Sequence, residues 1–67
     1  MKKRWFVVQK YLDSGFARAA VKEYEELTGE ELDLLENFEG FKETEEYDFY
    51  IDEFKSYEEA VEFRVSI

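Results

Sequence analysis

E-E-Y-D-F-Y-I-D-E-F, residues 45–54, is the stretch that sets the reading of this chain. It alternates as a β-strand does: one face carries Tyr47, Phe49 and Ile51, and the other carries Asp48, Tyr50, Asp52 and Phe54. The first face reads as core. The second places carboxylates and aromatic rings side by side, a pattern suited to recognition rather than to chemistry. Residues 42–46 form a polar connection into this strand.

On its N-terminal side, residues 30–39 read as a short helix. Leu32, Leu34, Leu35 and Phe38 share a side, and Glu30 and Glu31 suit the positive end of its dipole. Gly40 is expected to close it, with Phe41 tucked beneath. On the C-terminal side, Ser56-Tyr57-Glu58-Glu59 matches a capping box, with Tyr57, Ala60 and Val61 on one helical face. Two readings compete for residues 63–67. The helix continues through them, or Phe63, Val65 and Ile67 alternate in a last strand; the β-branched content favours the strand.

At the start of the chain, residues 3–12 read as a strand, and residues 5–8 are apolar on both faces, so cover is expected on both sides. Asp13-Ser14-Gly15 reads as a turn that opens a helix over residues 15–28. In that helix Phe16, Ala17, Ala20, Val21, Tyr24 and Leu27 occupy an arc of about 140°. Lys22 and Glu26 would pair one turn apart, and Gly29 would end the helix. The predicted order is β-α-α-β-α-(β). This is an α+β domain over residues 1–67, with a small two- or three-stranded sheet packed against two or three helices.

Composition narrows the function. The 67 residues contain no Cys and no His, which leaves no disulfide and argues against a zinc site and against Ser–His or Cys–His chemistry. Gly15, Gly29 and Gly40 stand apart at helix boundaries and form no phosphate loop. Asp48, Tyr50 and Asp52 alternate as calcium ligands do, but a tyrosine stands where an oxygen ligand is needed and no glycine follows. Neither a cofactor nor a metal is expected. Carboxylate pairs are the one catalytic resource, and with eighteen acids in the chain their proximity carries no information. A non-enzymatic protein is expected.

Net charge is −9. Residues 1–22 sum to +5 and residues 23–62 to −15, a field that repels nucleic acid and anionic membrane and attracts basic protein surfaces. Lys2, Lys3 and Arg4 beside Trp5 are too few to hold nucleic acid. No apolar run has the length of a secretory leader or a membrane span, so a soluble, cytoplasmic protein is expected.

The face with Asp48, Tyr50 and Asp52 sets successive side chains about 6.5–7 Å apart. Extended by Glu43, Glu45, Glu46 and Glu53 and by the acids of the helix over residues 30–39, with Tyr50 or Phe54 as an aromatic anchor, it can imitate a track of phosphates. In composition the chain resembles the small acidic antagonists that phages and mobile elements direct at nucleic-acid enzymes. The expected function is therefore a nucleic-acid-mimicking inhibitor that occupies a basic surface of a partner. The alternative is a structural or accessory domain that self-associates as a homodimer through its aromatics.

Overall fold

The computed structural model describes residues 3–67, and Lys2 of the basic N-terminal group lies outside them. The first strand, β1, is Trp5–Leu12. Phe6, Val7 and Val8 are all buried, so successive side chains are covered on opposite faces, as the uninterrupted apolar run predicts.

The next segment is not the helix predicted over residues 15–28. It is an antiparallel strand, β2 (Ala17–Glu23), in register with β1 through Val7↔Val21 and Lys10↔Arg18. Gly15 holds φ at +97°, the Gly15 N–H donates to the Leu12 carbonyl at 2.9 Å, and the Leu12 N–H donates to the Phe16 carbonyl at 2.8 Å. Asp13-Ser14-Gly15 is thus the reversal of a hairpin. The helical preference of Ala17, Ala19 and Ala20 amounts to tenths of a kcal/mol per residue, and the bonding row and buried surface that β1 offers override it. As a result Phe16 lies outside the core, and Lys22 pairs with Glu31 at 2.9 Å instead of with Glu26. Tyr24 and Leu27 do reach the core, by way of a 3-10 turn at Tyr24–Glu26.

Helix α1 is Gly29–Asn37, close to the predicted span, but Gly29 starts it rather than ending a helix before it. Thr28 Oγ1 accepts from the Glu31 N–H at 3.2 Å, and the Glu31 carboxylate accepts from the Thr28 N–H at 2.8 Å, a reciprocal cap. Glu39 and Gly40 then turn the chain through positive φ. A Cβ at Gly40 would fall 2.6 Å from the Ile51 carbonyl oxygen, so glycine permits the close approach that opens the second hairpin.

That hairpin joins β3 (Phe41–Glu43) to β4 (Tyr47–Phe54), and β4 also pairs with β1. All neighbours are antiparallel in the order β2-β1-β4-β3. The described residues therefore form a four-stranded sheet and two helices in the order β-β-(3-10)-α-β-β-α. This corrects the expected two or three strands with two or three helices.

Helix α2, Tyr57–Ser66, runs through the tail predicted as a strand. The Ser56 side chain accepts from the Glu59 N–H at 3.2 Å at its start, and Phe63 packs on Phe54 with ring centroids 5.0 Å apart. The alternation of Phe63, Val65 and Ile67 does not follow burial, since Val65 is 72% exposed.

The helices take opposite faces of the sheet. Leu34 of α1 joins Phe6, Val8, Leu27, Phe49 and Ile51 in the main core. Phe49 and Ile51, with Tyr47 packed against them, occupy the face predicted to be buried. On the other face the Tyr57 ring of α2 meets Trp5 at 4.9 Å, and Ala60 and Val7 are fully buried.

Candidate binding face

Strand alternation and register sort charge between the two faces. Lys10 stands opposite both Arg18 and Phe49, Lys22 opposite Phe6, and Lys42 opposite Phe49. Directly paired residues point to one side of an antiparallel sheet, so these strand cations share the α1 face. There they meet partners: Lys10 bonds Glu30 at 3.5 Å and Lys22 bonds Glu31 at 2.9 Å. Lys10 also lies over the rings of Tyr47 and Phe49, and Lys42 over Phe38. The 210 Å³ hollow that Lys10, Arg18 and Lys22 line also contains Glu30 and Glu31, which neutralise most of its charge.

The strand carboxylates Glu23, Glu43, Asp48 and Asp52 lie on the α2 face instead, as their pairing with Trp5, with one another and with Val7 shows. Among the described residues no ion pair involves Glu43, Asp48 or Asp52. Glu43 and Asp48 stand directly opposite each other. The ladder bonds run through Thr44 and Gly40, so this is a non-hydrogen-bonded pair, the closer of the two cross-strand spacings.

Helix α2 covers the β1 and β2 side of this face. The Arg64 Nε donates to the Ala19 carbonyl of edge strand β2 at 3.2 Å. The β4 and β3 side is left open. Its floor is a run of rings: Tyr50 lies 5.2 Å from Phe41 and 6.0 Å from Tyr11, and Tyr11 donates to the buried Gln9 amide oxygen. Phe41 is 49% exposed, so it lines the surface and is not tucked under Gly40 as expected. Glu59, one turn before Phe63, occupies the flank of α2 that faces β4. The Tyr50 hydroxyl is held above the usual phenol range, first by burial among these rings and then by the charges of Asp48 and Glu43.

The predicted site residues divide accordingly. Asp48, Tyr50 and Asp52 do share one face and lie on it together. Glu45 and Glu46 are exposed in the β3–β4 turn, at the end of the face nearest Asp48. Thr44 fixes that turn, its hydroxyl accepting from the N–H groups of Glu46 and Tyr47. Phe54 shares the face but lies beneath α2 against Phe63, where it is structural. Glu53 points to the opposite face and accepts two bonds from Arg4, at 2.9 and 3.0 Å, which hold its carboxyl below the usual range.

Sequence reasoning missed the rings of Tyr11 and Phe41. Their signal is cross-strand pairing, legible only once Phe41-Lys42-Glu43 is known to be a strand.

The face suits recognition of cations and their apolar stems. Among the described residues no group of three or more acids is placed to hold a metal ion. Among the described residues no helix is long and apolar enough to cross a membrane. Comparisons with protein-family models, with curated proteins and with solved structures find no match.

Proposed function

We propose that this protein is a non-enzymatic binding module that docks the open, acidic half of its α2 face onto a basic surface of a partner protein. Most concretely, that surface is one with which a nucleic-acid-binding partner holds phosphates, and the module inhibits by occupying it. The observation that carries this reading is the sorting of charge. Lys10 and Lys22 are paired with acids on the α1 face, while Glu43, Asp48 and Asp52, beside the exposed rings of Tyr11 and Phe41, take part in no ion pair among the described residues. Unpaired acids around an aromatic floor offer both electrostatic steering and an apolar anchor.

A lysine- and arginine-rich protein domain bound to a fluorescent duplex oligonucleotide tests it. The module should displace the duplex at low salt and lose that ability as salt rises. The reversals D48K and D52K should each weaken displacement by up to about fivefold, the worth of one exposed ion pair. E25K and E36K, at exposed sites away from this face, should change little. Equal effects of the two sets of reversals would refute the reading.

A second reading, self-association, has its own observation. Val65 and Ile67 are 72% and 53% exposed, and with Tyr11 and Ala17 they line an open hollow of 520 Å³. Sedimentation separates the two: a monomer at all concentrations removes self-association, and a dimer that buries Tyr50 removes docking.

A further inference from the structure

Resting on the docking reading, we propose that the element seated on this face is a basic amphipathic α-helix of the partner, laid alongside α2 over β4 and β3. The sheet itself sets the size of the seat. Strands lie about 4.8 Å apart and a helix with its side chains is about 10–12 Å across, so one helix covers roughly two strands. A face of four strands takes two helices, and among the described residues α2 is the one helix on this face. Helix α2 shows how the first is held: Tyr57 sits on Trp5, Phe63 on Phe54, and Ala60 lets the backbone approach. The vacant half repeats the pattern, with Tyr50 and Phe41 as floor and α2 as one wall.

Charge identifies the occupant as basic. Asp48 and Asp52 stand about 13 Å apart along β4, close to the rise of two helical turns, about 11 Å. Arginine or lysine at i and i+7 or i+8 reaches both acids, with Glu43 and Glu59 beside them. An apolar residue at i+3 or i+4 meets the rings between, and cation stems lie along the same rings.

An added strand fits less well. β4 is bonded on one side to β1 and on the other to β3 through this stretch, and the edge that β3 presents is only three residues long. The wider edge, β2, belongs to the other side of the sheet, and Arg64 occupies one of its carbonyls.

The test uses a labelled alanine-based peptide of about 18 residues, long enough to populate a helix in water. It carries arginines two turns apart with leucine between, and its twin carries one central proline. Binding is read by anisotropy at about 50 and about 300 mM salt, and helix content by circular dichroism. The helical peptide should bind at least about tenfold more tightly than its twin, the proline being strongly unfavourable inside a helix. It should also gain helicity on binding and lose affinity at the higher salt and with F41A.

Equal, salt-dependent binding of both peptides overturns the helix while leaving the docking reading in place. Absence of salt-dependent binding by either overturns both. Occupation of the seat by a second copy, seen as a dimer that excludes the peptide, also overturns the proposal.

Discussion

Replacing Asp48 with Asn should make the protein more stable while weakening it as a ligand for basic surfaces. Asp48 and Glu43 face each other across β3 and β4 in the close cross-strand spacing. Their Cβ atoms are about 5 Å apart in such a pair, which puts the charges about 6 Å apart. At a water-like dielectric that separation costs about 0.7 kcal/mol, inside the range of about 0.2–1 kcal/mol for charged cross-strand pairs. For a domain of this size about 0.5 kcal/mol corresponds to roughly 2–4 °C in Tm. D48N should therefore melt a few degrees higher than the parent in low salt. The gain should vanish near 1 M salt, where the screening length falls to about 3 Å. E43Q should give a similar gain, and the double variant little more than either, because a single repulsion is removed once. A D48N protein that melts at or below the parent in low salt, or keeps its gain at high salt, would show that the acids do not repel as placed.

Three further outcomes follow from the same geometry. Site-resolved NMR titration of the Tyr50 ring in D48N or E43Q should show its hydroxyl pKa moving down from the parent's elevated value, yet not fully to the ordinary one, since burial is its first cause. Glu53 is depressed by Arg4, so its contribution to stability is present above the unfolded carboxylate range and is lost as pH falls through the folded value. Acid unfolding of E53Q should accordingly be shallower over that window than the parent's. Finally, F54A removes a ring held under α2 and should destabilise by a few kcal/mol, up to the about 3–5 expected for a fully buried phenylalanine. F41A should leave the melt within about 1 kcal/mol of the parent and reduce binding, and the reverse ranking would exchange structural and functional roles.

How much of this was legible in the sequence depended on where local pattern and tertiary packing agree. In residues 45–54 they agree: period-two alternation places Phe49 and Ile51 in the core and Asp48, Tyr50 and Asp52 opposite, as found. In residues 15–28 they conflict. Phe16, Ala20 and Leu27 make a helical arc, but Lys22 and Arg18 alternate with Ala19 and Val21 in a way that also fits a strand, and β1 decides between them. The tail reverses the error, because Val65 and Ile67 look like inward strand positions, yet both stand exposed, Val65 on α2 and Ile67 just past its end.

Of the site, the core row of Asp48, Tyr50 and Asp52 was visible from alternation alone. The addition of Phe41 and Tyr11 needed the register, and the removal of Phe54 needed the packing of α2. Parity along β4 alone puts Glu53 on the Phe49 face, whereas nothing local reveals that α2 covers Phe54. The segregation of charge was hidden for the same reason. Lys10, Arg18, Lys22 and Lys42 come together on one face only when four strands are laid in order.

The claim that the open half of the α2 face is the binding surface is tested most directly by a chemical-shift map. Labelled protein is titrated at low salt with a short arginine-rich peptide, and every backbone amide is followed. The account predicts that perturbed residues cluster at Phe41, Glu43, Asp48, Tyr50 and Asp52, with Glu59 at the border, and that the cluster fades as salt is added. Shifts spread evenly over all exposed acids, or concentrated on Glu30, Glu36 and the α1 face, would contradict it.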